Sequence, residues 1–258
     1  MTSVCEPPGR LPAKAQSSTV AKALDVLELV SQASQGITNL EIHQTLGLDK
    51  STVHRLLSTL ENRGYVARHP DRRYVIGLQP ALLAWRGDAD PRMSLLPVLQ
   101  DLADLTTEAA SANLIDGVRL RCIATVPGKH ELNYTPEAGV TYDPIASAAG
   151  LAAWAWRSDP LRDEWIQQVC SQTDPRLLRT RAELVQELDR TRLMGYAISN
   201  QERYAGAAAL AAPIFVGTGA PIGAVVVSTV SVRTSLEQLR TYADAAIAAA
   251  ARLGKHSN

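Results

Sequence analysis

The stretch from Gly47 to Gly77 constrains this chain most. Between Lys50 and Arg63 the apolar residues Val53, Leu56, Leu57 and Leu60 recur at i, i+3, i+4 and i+7, the spacing of one buried helix face. The opposite face carries Ser51, Arg55, Ser58 and Asn62, flanked by Thr52, His54 and Thr59. A helix that is merely solvated more often carries Glu/Lys pairs at i, i+4. Short or forked donors and acceptors are what base edges and phosphates require. The residues expected to meet DNA on this helix are therefore Lys50, Ser51, Thr52, His54, Arg55, Ser58 and Thr59. Asp49 stands where a helix start is capped, and Gly64 where a helix ends.

The flanking residues fit the same reading. Residues 65–68 read as a short strand, His69-Pro70-Asp71-Arg72 as a turn, and residues 73–76 as the returning strand. Arg68, Arg72 and Arg73 cluster at the tip, within expected reach of phosphates. Upstream, Thr38-Asn39-Leu40-Glu41 is a capping box that opens a short helix ending near Leu46-Gly47. Helix, glycine turn, helix and hairpin in this order make a winged helix-turn-helix. A solvated helix beside a surface hairpin is the plainer alternative. The order of the pieces and the one-sided polar face favour DNA binding.

Composition bounds the rest. A chain of 258 residues can bury more than one core. Its formal charge is zero, so no global basic field marks a nucleic-acid binder. Between His43 and Val75, however, Lys50, Arg55, Arg63, Arg68, Arg72 and Arg73 outnumber Asp49, Glu61 and Asp71. Cys5, Cys122 and Cys170 have no metal spacing and cannot all pair internally, which together with the lack of a signal-like segment leads us to expect a reducing cytoplasm. No apolar run is long enough to predict a membrane span, and no membrane partner is expected.

The chain divides into expected units. Residues 1–16 read as a disordered tail, 17–78 as the DNA-binding domain, 79–91 as a linker and 92–258 as a second domain. A first helix is expected over 17–34, with Val20, Ala23, Leu24, Leu27 and Val30 inward. Residues 86–91 break the pattern and make the best hinge. A helix over 93–108 turns Leu95, Leu96, Leu99, Leu102, Ala103 and Leu105 to one side, with Pro97 expected in its first turn. Residues 112–115 and 118–126 read as a hairpin about Asp116-Gly117, with Val118, Leu120, Cys122, Ala124 and Val126 on one face. A buried helix over 147–156 and outer helices over 159–170 and 180–193 follow. Strands are expected over 196–200, 207–216 and 222–230, and one closing helix over 233–254. The fold class is α+β, with an antiparallel sheet in the second domain.

Chemical motifs are few. Residues 217–223 superficially suggest a dinucleotide fingerprint, but the spacing is wrong and a hairpin loop reads better. Ser147 lacks the glycines of a nucleophile elbow. The five histidines show no zinc spacing, and no paired carboxylates form a credible site. No catalytic residue, metal or cofactor is therefore expected, and an enzyme fused to a DNA-binding domain has no positive support. The junction Pro144-Ile145-Ala146-Ser147-Ala148-Ala149-Gly150 is different. Its small residues leave helix-start amides open to an anion, although tight packing alone would also demand small residues. Asn200 and Glu202, at the end of another strand, could face the same place.

The residues quoted from Leu46 to Leu60, with Gly64-Tyr65-Val66 and Tyr74-Val75-Ile76-Gly77, resemble the N-terminal domain of the IclR family of bacterial transcription regulators. Residues 146–155, Gly195-Tyr196-Ala197, Glu202, Gly206, Ala211-Ala212-Pro213 and the strand ending at Ser228 resemble that family's effector domain. The resemblance implies a GAF-like effector domain, a homodimer or homotetramer, a double-stranded DNA operator and a small organic acid or related metabolite as effector. It places the pocket on the Ala148 and Ala149 amides and on Asn200, Leu210 and Ser228. With the junction residues, the expected effector set is Ser147, Ala148, Ala149, Gly150, Asn200, Glu202, Leu210 and Ser228. Leu151, Asn200, Leu210 and Asp143 depart from the residues usual in the family, which implies a larger or more apolar ligand than a small keto acid. An effector domain that has lost its ligand and serves assembly alone is the main alternative.

Overall fold

A computed structural model describes residues 18–33, 36–68, 72–84, 92–116, 119–157, 159–171, 180–216 and 220–255. The expected tail, the hinge at 86–91, the wing turn at 69–71, the Asp116-Gly117 turn and the loop at 217–219 lie wholly or partly outside the described residues.

The first body holds α1 (Ser18–Gln32), α2 (Asn39–Leu46), α3 (Lys50–Asn62), β1 (Val66–Arg68) and β2 (Tyr74–Ile76). The capping box forms as expected: the Thr38 hydroxyl accepts from the Glu41 amide at 3.2 Å, and the Glu41 carboxylate accepts from the Thr38 amide at 2.7 Å. Gly47 then ends α2 at φ 64°, a left-handed conformation that glycine adopts without steric cost. Val53, Leu56 and Leu57 are buried against Val26 and Val30 of α1 and Ile42 of α2. The inward face of α1 is rotated from the expected one. Val20 and Leu24 are 58% and 53% exposed, and Val26 is fully buried in their stead. Asp49 occupies the cap position of α3 but its side chain makes no capping bond.

Gly77 and Gln79 donate their amides to the Tyr65 and Gly64 carbonyls, so α4 (Gln79–Ala84) starts against the end of α3. Leu78 and Leu82 also join the larger core that follows. α5 (Arg92–Thr106) begins earlier than expected, which puts Pro97 in its second turn. A proline there leaves the Met93 carbonyl without its helical donor. Leu95, Val98, Leu99, Leu102 and Ala103 are buried, whereas Leu96 and Leu105 face outward.

The second body is built on β3 (Ala109–Asp116), β4 (Arg119–Val126), β5 (Thr141–Tyr142), β6 (Ala197–Asn200), β7 (Ala207–Ile214) and β8 (Gly223–Val230). They form one antiparallel sheet in the order β5-β4-β3-β8-β7-β6. One face carries α5, α9 (Leu236–Thr241) and α10 (Ala243–Lys255). The other carries α6 (Ala148–Trp154), α7 (Asp159–Cys170) and α8 (Arg181–Met194). The expected closing helix is therefore two helices, interrupted at Tyr242. A bulge where the pairing shifts from Ala112↔Ala124 to Asn113↔Cys122 leaves Ile123 as the extra residue. Because of it, β4 does not keep one face throughout: Leu120 joins the α6 side, while Ala124 and Val126 join the α10 side.

Period-2 alternation sorts the sheet. Ala112, Leu114, Leu210, Ala212, Val225 and Val227 point to the α5/α10 side. Ile115, Ala197, Ala211, Ala224 and Val226 point to the α6 side. That second face is incompletely filled by helix, and the space left over is the cavity described next.

Candidate functional site

Between the sheet and the start of α6 lies a cavity of about 290 Å³. Its floor is the sheet: Ser111 and Asn113 of β3, Cys122 of β4, Val226 and Ser228 of β8, Ala207 and Ala209 of β7, and Ser199 of β6. Ser147, Ala148 and Ala149 form one wall. The segment from Tyr134 to Tyr142, with Arg203 and Tyr204 of the β6–β7 turn, forms the rim.

The α6 wall is a built corner. Ser147 caps the helix, its hydroxyl accepting from the Gly150 amide at 3.0 Å while donating to the Pro144 carbonyl at 3.1 Å. Gly150 is there because the backbone passes so close: a Cβ would lie 2.0 Å from the Pro144 oxygen. With the Gly150 amide taken, the amides of the two preceding residues, Ala148 and Ala149, stand at the helix start.

The β3–β5 side is a polar relay. The Tyr142 hydroxyl donates to Asn113 Oδ1 at 2.9 Å, and Asn113 Nδ2 donates to Ser111 Oγ at 3.0 Å. Burial raises the Tyr142 phenol well above its usual range, the Arg203 charge opposing it, and pushes the Cys122 thiol up to about 12. Both groups are therefore neutral near neutral pH. At the rim the Arg203 guanidinium lies 3.9 Å from the Tyr142 ring centroid and 5.1 Å from that of Tyr204. The Tyr134 and Tyr204 rings meet at 5.4 Å.

Of the expected effector residues, Ser147, Ala148, Ala149 and Ser228 line this cavity. Gly150, Asn200, Glu202 and Leu210 do not. Leu210 is fully buried on the opposite face, in the α5/α10 core. Asn200 pairs with Ala208, one residue out of phase with the cavity face, and is exposed. Ser199 is the residue that looks inward. Ser111, Asn113, Ser199, Arg203 and the tyrosines were missed. The alternation of β6 could have exposed Ser199 had its register been known; the others come together only through the sheet order. Arg119 and Arg121 point to solvent, and Arg121 pairs with Asp116 at 3.0 Å.

On α3, Lys50, Ser51, His54, Arg55 and Thr59 are exposed and Thr52 and Ser58 are half-buried. The Thr59 hydroxyl is folded back onto the Arg55 carbonyl at 2.9 Å. Arg68 and Arg72 are exposed on the wing. Arg73 instead turns inward, donating to the Gly36 carbonyl at 3.1 Å and reaching the Glu41 carboxylate at 3.4 Å. It therefore ties the wing to the capping box of α2. No helix among the described residues is long and apolar enough to cross a membrane, and no cluster of His, Cys, Asp and Glu among them could hold a metal ion.

Residues 19–70 match the IclR helix-turn-helix domain, and residues 88–254 match the bacterial transcriptional regulator IclR C-terminal domain. The HTH-type transcriptional regulator BhcR of Paracoccus denitrificans is 32% identical over 243 residues, covering 90% of this chain and 84% of its own. Among solved structures, an IclR-type transcriptional regulator from a Silicibacter species is 26% identical, with a TM-score of 0.61 and coverage of 93% of this chain and 96% of its own. An IclR homologue from Microbacterium hydrocarbonoxydans, solved in complex with 4-hydroxybenzoate, shares the fold at a TM-score of 0.57 and 19% identity, covering 93% and 98%.

Proposed function

The chain belongs to the IclR family of DNA-binding bacterial transcriptional regulators, which are not enzymes, and from that premise we propose that it reads a palindromic operator as a homodimer or homotetramer and that a small organic acid, held between α6 and the sheet, shifts its affinity for that operator. The observation that carries the effector half is the cavity of about 290 Å³, walled by the α6 start and floored by buried hydroxyls. Its size is in the lower range for small-molecule sites. Arg203 at the rim supplies a positive charge for a carboxylate, and the Ala148 and Ala149 amides add partial positive charge on the facing wall.

DNA contact falls to the exposed face of α3, with Arg55 at its centre reading a base and Lys50, Ser51, Thr52, His54, Ser58 and Thr59 around it. Arg68 and Arg72 on the wing meet phosphates. One winged helix offers too little contact for tight operator binding, which supports two copies spaced by roughly 34–36 Å or a multiple. For the ligand to matter it must bind one arrangement of the oligomer better than another, and a differential of about 1–3 kcal/mol suffices.

The test is a thermal-shift screen of organic acids, with 4-hydroxybenzoate and pyruvate among the first probes, followed by gel shifts on operator DNA with and without each hit. Stabilisation by an acid that also changes operator affinity supports the reading. A chain that binds operator but is stabilised by no acid would leave the second domain to assembly alone.

A further inference from the structure

The floor of the cavity contains more hydrogen-bonding capacity than the protein uses. Ser199 and Ser228 are 5% and 2% exposed, both line the cavity, and neither hydroxyl has a protein partner among the described residues. Each hydroxyl opens onto the cavity, so whatever occupies the cavity is what satisfies it. The register places the two on one rung: Ser228 pairs with Ala209, and Ala209 pairs with Ser199. Only the methyl of Ala209 lies between them, across two strand spacings, roughly 10 Å. At the other edge Ser111 and Asn113 are 0% and 2% exposed. Asn113 donates one amide proton to Ser111 and accepts from Tyr142. The second Asn113 proton and the Ser111 proton have no protein acceptor among the described residues. Unpaired donors and acceptors thus stand at separated points along the floor, with alanine and valine between them.

We propose that the occupant is a hydroxylated ring acid, and that Ser199 together with the Ser111–Asn113 pair are the residues that select it by its hydroxyl groups. This rests on the cavity being the effector site and goes beyond it by naming the chemical class. The carboxylate lies toward Arg203 and the α6 amides. The ring lies over Ala209 and Val226 beneath the tyrosine rim. The hydroxyls reach the sheet serines and Asn113. A cavity of about 290 Å³ has room for a ring acid. Buried polar groups on a floor discriminate strongly against an analogue that lacks their partner, because the analogue leaves them unpaired.

Titration calorimetry on the full chain with two matched pairs of acids tests this: benzoate against 4-hydroxybenzoate, and cyclohexanecarboxylate against quinate, with pyruvate as the small control. In at least one pair the hydroxylated acid is expected to bind tenfold or more tightly than its parent. Ser199→Ala or Asn113→Leu should reduce that preference to below threefold. Thermal melts check that each variant folds, and Ser199→Ala removes only an oxygen. Equal binding of parent and hydroxylated acids in both pairs, or a preference untouched in both variants, overturns the proposal while leaving the cavity as the effector site. Binding of none of the acids overturns the hydroxylated-acid assignment, and binding that survives Ala148→Leu moves the site elsewhere.

Discussion

Ser199 on β6 stands opposite Ala209 on β7, and that pairing turns both side chains into the cavity while Asn200 and Leu210, their chain neighbours, face away. A strand alternates its faces residue by residue, so a shift of one position exchanges every inward side chain for an outward one. Adjacent alanine and leucine should therefore respond oppositely to substitution. Ala209→Leu is expected to fill the cavity floor, reducing acid affinity more than tenfold with operator binding retained. Leu210→Ala is expected to cost about 2–5 kcal/mol of stability through a cavity in the α10 core, with acid affinity changed less than twofold. Urea denaturation and calorimetry on the two variants separate these outcomes.

The same alternation shows where reading the sequence stops. Helix α3, the Thr38–Glu41 capping box and the antiparallel sheet were legible because periodicity and capping are local. Helix α7 is found over the residues expected. The candidate cavity was legible in its α6 wall, where Ser147, Ala148 and Ala149 are contiguous. On the sheet Ser228 alone of the expected residues lines the cavity, because cross-strand register depends on partners far away in the chain. Ser111 was missed for a simpler reason: the expected strand began at residue 112, after it. Tyr134, Tyr142 and Arg203 meet only because β4, β5 and the β6–β7 turn converge on one edge of the cavity. Leu96 and Leu105 carry the helical period of α5, yet the sheet covers only the face of Leu95, Leu99 and Leu102.

Arg55 and Arg73 should part company on DNA. Arg55 is exposed at the centre of α3, and Arg55→Ala is expected to lose about 1–3 kcal/mol of operator binding, specific to sequence. Arg72→Ala should weaken all DNA alike and flatten the salt dependence. Arg73→Ala should instead lower the melting temperature, because its guanidinium bonds Gly36 and Glu41 within the fold. Gel shifts at several salt concentrations, beside thermal melts, distinguish the three; operator affinity unchanged in Arg55→Ala would remove α3 from the recognition role.

Cys122 predicts a particular pH response. Burial raises its thiol from 9.0 to about 12, so the folded chain favours the protonated form more than the unfolded chain does. The resulting stability is complete below the unfolded value near 9 and is lost as pH rises from there toward 12. Cys122→Ala should accordingly show a shallower fall in urea midpoint between pH 8 and 10 than the parent chain, in measurements made at about one-unit steps. Parallel curves for the two proteins would mean that the thiol is solvated in the fold.

Glu108 and Arg233 form a partly buried ion pair. Glu108, between α5 and β3, is 2% exposed, and its carboxylate accepts from Arg233 at 2.6 Å and from the Thr234 hydroxyl at 2.8 Å. Arg233 also donates to the Leu132 carbonyl at 2.6 Å, in the segment that leads to Tyr134. One guanidinium thus joins the end of α5, the turn before α9 and the rim. Removing it leaves a buried carboxylate with the Thr234 hydroxyl as its remaining side-chain partner, and breaking such a pair from one side costs about 3–5 kcal/mol. Arg233→Met is expected to lose stability of that order, and Glu108→Gln less, because the amide keeps the shape and can still hydrogen-bond without a buried charge. The double variant should be less damaged than the sum of the singles, the signature of coupled residues. Acid affinity should also fall in Arg233→Met, because Leu132 is no longer held and the rim loosens. Urea denaturation of the two single variants and the double, with calorimetry on Arg233→Met, checks all three expectations, and strictly additive losses would show that the pair does not act as one unit.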